Sequence, residues 1–545
     1  MTRHPGQIEI DALGAKLEAR GFPASLPEFC AAQAATYGDR IALDYFQDGV
    51  QLSYTALHRR SNRVAANLLA RGYRKGAHIA VMLPNGPASV LVWFAIMKIG
   101  AVIVPVNTAY GAKELDFILN QSDAEALIIG DQFLAAYEAM QACPDLLKTP
   151  MVVQDGGLGA LEEGGELAAF DPGYPVVATD LANLQYTSGT TGSPKGCMLT
   201  QDYWILLSQS IAGVHESYGN QRLFFWAPFF YMDGQWSFLS AMAIGGTAII
   251  AAKMSLTSFL GWIRDHDAHY CVLPEPILKK IPETPEDASL PLNYVHTFGW
   301  HPAARAEAER RFNLIARDGF GMTEVGPAII CPKASGEKLA QNICGLAAPW
   351  RETRVVDETG RDCAPGEAGE LQIRGRAIML GYYKRPDANA DSFDGDWFRS
   401  GDLFVKDADG FHRIVGRLKE MIKRAGENIS ASEVEAALRE APAIAEAAAI
   451  AVPDEMRREE VMALIKLADG YGPADMTPEM IRQHAERLAA FKRPRYLAYV
   501  REFPRTATNK IAKARISARD IEGGVFDCQS MAELNGDQVL GLIGG

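Results

Sequence analysis

The 545-residue sequence contains no CxxC pair. Its 8 cysteines stand apart from one another, at Cys30, Cys143, Cys197, Cys271, Cys331, Cys344, Cys363 and Cys528. That spacing argues against a zinc ribbon or a thioredoxin-like motif and reads as reduced thiols of a cytoplasmic protein, mostly filling cores. Positive charge is also short, with 54 Lys and Arg against 67 Asp and Glu and a net charge of −13. Neutralising a nucleic-acid backbone needs clustered Lys and Arg, so a general nucleic-acid binder is excluded, while a local basic pocket for a small phosphorylated molecule is not. No apolar run is long enough to span a bilayer. VLVWFAIMKIGAVIVPV (90–106) is interrupted by Lys98, Gly100 and Pro105, and FLSAMAIGGTAIIA (238–251) is too short. The opening MTRHPGQIEIDALGAK lacks the apolar h-region of a signal peptide. The expectation is a cytoplasmic chain with no membrane span.

What is present is ordinary globular composition, 48% apolar and 22% charged, and enough length for two to four structural units. Helical and strand-like stretches alternate. SYTALHRRSNRVAANLLARG (53–72), PASVLVWFAIMKIG (87–100) and KELDFILNQSD (113–123) have helical periodicity, whereas HIAVML (78–83), AVIVPV (101–106) and ALIIG (126–130) read as buried strands. Such alternation predicts an α/β fold, parallel sheets covered by helices. The pattern returns in GTAIIA (246–251), FLGWIRDHD (259–267) and YCVLP (270–274). From about 345 the texture changes to short strands between DETG, DGD and DADG turns, which predicts a β-rich subdomain of antiparallel hairpins over about 345–416. From Ser430 a smaller α+β unit follows. The boundary is placed near Arg417–Lys419, giving a large region 1–416 and a small domain 417–520. Residues 521–545 are glycine-rich with a weak helical pattern and stay unassigned.

The stretch YTSGTTGSPKG (186–196) carries the clearest chemistry. Gly189, Gly192 and Gly196 allow positive φ and close approach of a ligand, so successive N–H groups can turn inward on an anion. Thr187, Ser188, Thr190, Thr191 and Ser193 add hydroxyls, and Lys195 adds a mobile charge. This is equipment for a polyphosphate. It is not a G-x-x-x-x-G-K-[ST] loop, because Pro194 stands where the second glycine is needed and Gly196 follows Lys195. Apolar LANLQY before it and CMLT after it make a bare flexible linker a poor reading.

YTSGTTGSPKG resembles the phosphate-binding signature of the adenylate-forming superfamily, the acyl-CoA synthetases, nonribosomal adenylation domains and firefly-type luciferases. DGFGMTE (318–324), RSGDLF (399–404), GRLKEMIKRAGENIS (416–430) and PRTATNKIAKARI (504–516) match further motifs in the same order. The resemblance covers roughly residues 25–520 and implies a large domain joined to a small mobile one. It also implies ATP and Mg²⁺ as cofactors, a carboxylic acid as substrate and coenzyme A as co-substrate. Homodimers are common among such proteins.

Residue by residue, the resemblance assigns catalysis to Lys510, Thr190 and Glu324. It assigns the nucleotide to Thr187, Ser188, Gly189, Thr190, Thr191, Gly192 and Lys195, to Gly319, Phe320, Gly321, Met322 and Thr323, and to Asp402 and Arg417. Phe320 stacks on adenine in that scheme, Asp402 accepts from the ribose hydroxyls, and Glu324 holds Mg²⁺. A carboxylate beside a phosphate loop makes sense chiefly with a divalent cation between them. Lys510 screens the approach of a carboxylate to an α-phosphate. Lys419 is the hinge. Lys423, Arg424, Gly426 and Glu427 face coenzyme A once the small domain has swung. Tyr231, Met232, Asp233, Gln235, Trp236, Gly299 and Trp300 border the acyl pocket.

Three positions depart from the commonest pattern: Tyr231 for histidine, Trp300 and His301 in place of a glycine-rich loop, and Asn509 before the lysine. Trp300 is read as an acyl-pocket wall that narrows the site, or as a packing residue. APFFYMDGQW (227–236) is loosely similar to carnitine/crotonobetaine–CoA ligases. The leading expectation is an acid–CoA ligase. Beside it stand a ligase with impaired ATP use that only converts a supplied acyl-adenylate, a free-standing enzyme loading a carrier protein, and a non-catalytic nucleotide-binding scaffold.

Overall fold

The computed structural model describes residues 3–154, 157–187, 194–424, 427–454, 456–505, 510–534, 538, 539 and 542. Two compact units emerge. The first is Met1–Thr353 with Ile373–Phe398 and Asp409–His412, and the second is Arg354–Gln372, Arg399–Ala408 and Arg413–Gly545. Residues 354–372 and 399–408 group by contacts with the C-terminal part.

In the first unit the apolar runs become strands of two sheets. One is ordered Met151–Val153, Ala126–Gly130, His78–Met82, Val102–Pro105, Leu181–Thr187, Lys195–Thr200, parallel throughout except for its last pair. The other is ordered Ile315–Arg317, Tyr294–His296, Tyr270–Val272, Arg222–Phe225, Thr247–Ile250, Ile41–Tyr45, Val50–Ser53, again parallel except for its last pair. Parallel neighbours need crossovers, and Pro87–Lys98 and Ala112–Gln121 supply two of them. Every residue of Pro87–Lys98 after the proline is buried, as expected of a helix apolar all round. Its Lys98 is 3% exposed and donates to Ser61 Oγ and Asn62 Oδ1 at 2.7 Å and to the His58 carbonyl at 2.9 Å, so the buried charge has its acceptors. Among the described residues no helix is long and apolar enough to cross a membrane.

A third sheet of this unit is antiparallel. Gly319–Met322, Gly326–Ile330 and Leu346–Ala347 form it, so the DGFGMTE motif starts on a strand and turns tightly at Gly326, whose φ is +66°. A Cβ on Gly321 would stand 2.7 Å from the Gly326 carbonyl oxygen, which explains the glycine between Phe320 and Met322.

The second unit is built on a sheet ordered Glu427–Ser430, Met421–Arg424, Arg458–Leu467, Tyr496–Val500, Ile521–Asp527, Ala532–Leu534, with Ile444–Asp454 also paired to Arg458–Leu467. Alternate residues of Arg458–Leu467 feed two hydrophobic clusters. Val461, Ala463 and Ile465 join Val434 and Leu438 of the helix Ala431–Arg439, while Met462 and Leu464 join Tyr496 and Val525. Period-two burial on both faces marks a central strand. The stretch 521–545 begins as strand, not helix. Ile521–Asp527 pairs antiparallel with Tyr496–Val500 across a register shift, and Gly523 has φ +83°.

Candidate active site

The strands on either side of the glycine- and hydroxyl-rich stretch pair with each other. Leu181–Thr187 and Lys195–Thr200 are antiparallel, with Tyr186 opposite Gly196 and Thr187 opposite Lys195. Ser188, Gly189, Thr190, Thr191 and Gly192 lie outside the described residues, as do Gly426 and Asn509. At position 196 a Cβ would come within 3.1 Å of the Tyr186 ring, so glycine lets the two strands close.

Lys195 and Glu324 meet through a residue that the sequence did not single out. The Tyr382 hydroxyl donates to Glu324 Oε1 at 2.7 Å, and Lys195 Nζ lies 4.8 Å from the centroid of the same ring. The backbone around Tyr382 extends the hairpin: Leu380 N–H donates to the Met198 carbonyl, Met198 N–H to Gly381 and Tyr383 N–H to Gly196, each at 2.9 Å. Met379 N–H reaches the Glu324 carbonyl at 2.8 Å. Three chain segments thus converge on one carboxylate, which is 7% exposed. Burial, followed by the Glu324 charge, pushes the Tyr382 hydroxyl far above its ordinary range, so it stays protonated and able to donate. The only sequence signal for Tyr382 is GYYKRP, an aromatic pair between a glycine and a proline.

The predicted acyl residues start the helix Met232–Ala243. The Thr323 hydroxyl lies 3.1 Å from Met232 Sδ, joining this helix to the Glu324 loop. Asn107 Nδ2 donates to the Tyr231 hydroxyl at 3.0 Å, and the Trp236 indole N–H to Asp233 Oδ1 at 3.1 Å. Gln235 is 0% exposed; its oxygen accepts from Asn183 and Trp93, and its nitrogen donates to Gln185 and the Phe229 carbonyl. This amide is a buried tie between helix and sheet. A cavity of ≈ 20 Å³ beside it, lined also by Trp93, Phe229 and Phe230, has room for a water but not for an acyl group.

Gly299 has φ +71°, and its N–H donates to both Asp318 oxygens, at 3.1 and 3.3 Å. Asp318 also accepts from Gly319 N–H at 2.8 Å. Burial raises this carboxyl to about 6 in spite of those bonds and of the Arg305 charge. Trp300 is 4% exposed and packs in the cluster of Phe259, Ile263, Val295, Ala308 and Phe312, a packing position. His301 caps the helix Pro302–Phe312, its Nδ1 accepting from Ala303 N–H at 3.3 Å. Phe320 and Met322 are half-buried.

In the second unit Asp402 is 2% exposed and pairs with Arg417 Nε at 2.9 Å, so two residues assigned to the nucleotide are brought together. The strand bearing Asp402 is fixed by Glu370, which accepts from Gly401 N–H and Arg399 Nε, each at 3.1 Å. Lys419 is exposed in the short 3₁₀ turn Leu418–Glu420. Lys423 pairs with Glu358 at 3.1 Å and Arg424 with Glu460 at 2.7 Å, while the backbone of Glu427 pairs with Arg424. Lys510 is exposed just after the undescribed 506–509, beside a bridge between Arg505 and Ile511.

Comparison with known proteins supports the same reading. Family models match at residues 30–383, AMP-binding enzyme, and at 433–510, AMP-binding enzyme C-terminal domain. Feruloyl-CoA synthase of Amycolatopsis sp is 31% identical, covering 86% of this chain and 94% of that protein. Crotonobetaine/carnitine–CoA ligase of Salmonella arizonae is 29% identical, covering 89% and 97%. The solved o-succinylbenzoate CoA synthetase of Bacillus subtilis, in complex with its acyl-adenylate intermediate, is 25% identical with a TM-score of 0.77, covering 91% of this chain and 99% of that one. With both parts of the fold matched in order, the chain belongs to the AMP-binding enzyme family.

Proposed function

We propose that the protein is an AMP-forming carboxylic acid–CoA ligase. A carboxylate oxygen of the acid attacks the α-phosphorus of ATP, the bond to the bridging oxygen breaks, and pyrophosphate leaves an acyl-adenylate. The coenzyme A sulfur then attacks the acyl carbon, the C–O bond to AMP breaks, the thiol proton passes to solvent, and acyl-CoA and AMP depart.

The observation that carries this reading is the meeting of Glu324 and Lys195, the residue that begins the strand after 188–193, on either side of Tyr382. A cation and an oriented carboxylate beside a phosphate-binding turn suit polyphosphate chemistry. Among the described residues no group of three or more His, Cys, Asp or Glu forms a metal cage. Mg²⁺ needs none where substrate phosphates complete its shell, so Glu324 alone fits as its protein ligand. When bound, Mg²⁺ would supply charge screening at the phosphates. Asp402 holds the ribose hydroxyls, with Arg417 orienting its carboxylate. Lys510 screens the two anions of the first step. Lys419, Lys423, Arg424, Gly426 and Glu427 serve the hinge and the coenzyme A side. The eight free thiols, five of them buried, suit a reducing cytoplasm.

The test is pyrophosphate release on mixing protein, ATP and Mg²⁺ with a panel of acids, followed by mass spectrometry after adding coenzyme A. Acid-dependent release and an acyl-CoA product are expected. Release without acyl-CoA favours carrier loading. No release, with acyl-CoA formed only from supplied acyl-adenylates, favours an enzyme limited to the second step. Absence of both products refutes the ligase.

A further inference from the structure

Arg458 stands where the backbone favours glycine. Ile444–Asp454 and Arg458–Leu467 form an antiparallel hairpin whose last pair is Asp454 opposite Arg458. Asp454 Oδ1 holds the turn from inside, accepting from Met456 N–H at 3.0 Å and from Arg457 N–H at 2.8 Å. The turn then ends on Arg458 with φ +71°, in the left-handed region. Short hairpin turns commonly end that way, and glycine is the ordinary occupant because a Cβ is penalised there. Nothing in the protein compensates the arginine for this position. It is exposed, and among the described residues its side chain has no hydrogen bond or ion pair.

The neighbouring carboxylates are engaged elsewhere. Glu460, 0% exposed, pairs with Arg424 at 2.7 Å and with Arg457 at 2.6 Å. Asp454 Oδ2 pairs with Arg495 at 2.8 Å, and Glu459 Oε2 accepts from Lys423 N–H at 2.6 Å. What stands opposite Arg458 on the next strand is another cation. Met421–Arg424 pairs antiparallel with Arg458–Leu467, with Arg424 across from Arg458. Like charges directly opposite on neighbouring strands are unfavourable. Glu460 answers the Arg424 charge and leaves that of Arg458 unanswered. Arg424 leads directly into 425–427, within the segment assigned to coenzyme A, so the uncompensated cation sits beside it.

We propose that Arg458 holds a phosphate group of the thiol acceptor, so that the acceptor is free coenzyme A, bound through its 3′-phosphate or its diphosphate as well as through its pantetheine arm. This rests on the ligase reading above and on 423–427 as the coenzyme A side. A guanidinium meets a phosphate through two parallel N–H···O bonds, a stronger contact than either group makes singly. Binding an anion also relieves the repulsion between Arg458 and Arg424. The backbone points the same way. A residue disfavoured by its own φ persists where its side chain has a task, whereas an arginine kept for solubility is served as well by any exposed position with ordinary φ. Pantetheine alone has no phosphate and gains nothing from Arg458.

The experiment supplies the full chain with the acyl-adenylate of an acid that supports pyrophosphate release, and measures thioester formation with coenzyme A, dephospho-coenzyme A and pantetheine. The wild type should have a KM for coenzyme A about tenfold or more below that for pantetheine. Dephospho-coenzyme A as weak as pantetheine assigns Arg458 to the 3′-phosphate, and dephospho-coenzyme A as good as coenzyme A assigns it to the diphosphate. Arg458→Gly should raise the KM for coenzyme A by about tenfold, with kcat within about threefold and the KM for pantetheine unchanged. It should melt no lower than the wild type, because glycine suits φ +71°. Arg458→Lys keeps the charge without the fork and should fall between the two. An Arg458→Gly variant that keeps the wild-type KM for coenzyme A overturns this inference and leaves the ligase standing, since the arginine would then be solvated surface. So does a wild type that uses pantetheine as well as coenzyme A. No acid-dependent pyrophosphate release, and no thioester from any supplied adenylate, overturns the ligase reading and this inference with it.

Discussion

Replacing Tyr382 with phenylalanine isolates one bond at the centre of the site. The substitution deletes a hydroxyl 2.7 Å from Glu324 Oε1 and leaves in place the ring that lies 4.8 Å from Lys195 Nζ. Both partners are nearly buried, Tyr382 at 5% and Glu324 at 7% exposure, so water cannot replace the lost donor cheaply. A hydrogen bond to an ionised group contributes about 1.5–3 kcal/mol, and the same is the expected loss of stability in the unit that holds Glu324. The carboxylate also loses the group that fixes its direction, so equilibrium binding of ATP in the presence of Mg²⁺ should weaken by about tenfold or more. Denaturant unfolding and calorimetric titration measure the two effects separately. A double-mutant cycle assigns them, because Tyr382→Phe should cost markedly less in a Glu324→Gln background, with a coupling energy of about 1 kcal/mol or more. Strict additivity, or wild-type stability and Mg²⁺ dependence in Tyr382→Phe, would refute the argument that this hydroxyl orients the carboxylate.

Three other outcomes are expected. Trp300→Ala should lower stability by about 3–5 kcal/mol in equilibrium unfolding, as a large aromatic lost from a core, and leave the order of preference among acids unchanged; a new acid preference with little loss of stability would restore Trp300 as a pocket wall. Lys510→Ala should slow adenylate formation by about a hundredfold or more, measured as pyrophosphate release, and far less affect thioester formation from a supplied adenylate; equal loss in both assays contradicts its assigned role. Asp318 carries a raised folded-state carboxyl, about 6 against 3.8, so the folded state binds the proton more tightly and stability present at low pH is lost as pH rises through that window. Relative to Asp318→Asn, the wild type should lose about 2 kcal/mol between pH 4 and 6, and a difference independent of pH would refute it.

The parallel sheets were legible because runs such as ALIIG and AVIVPV are apolar without interruption, and a strand buried on both faces needs no more than that. That 188–193 join two ordered elements was legible for a different reason: apolar LANLQY stands before them and CMLT after them. Ile521–Asp527 was not legible. Its sequence, IEGGVFD, places two glycines mid-strand, and it is held by pairing with Tyr496–Val500 rather than by its own propensity. Trp300 stays open between pocket wall and packing residue on sequence alone. A large aromatic in a motif position draws attention to function, yet its surroundings, Phe259, Ile263 and Phe312, come from separate elements that no local pattern groups together.

Tyr382 shows where reading along the chain stops. Nothing in GYYKRP distinguishes its first tyrosine from its second. The sheet makes the distinction, because backbone pairing of 380–383 with 196–198 sets Tyr382 opposite Cys197 and sends its hydroxyl to Glu324, 58 residues away in sequence, while the Tyr383 hydroxyl goes to Asp123 at 2.8 Å. A one-residue slip would exchange the two rings, since neighbouring side chains on an extended strand face opposite ways. Register therefore decides which tyrosine meets the carboxylate, and Gly196, whose carbonyl accepts from Tyr383 N–H, leaves room for the Tyr186 ring on the neighbouring strand. The glycine that looked at first like part of a phosphate cradle thus also allows the close strand pairing from which Glu324 is aimed.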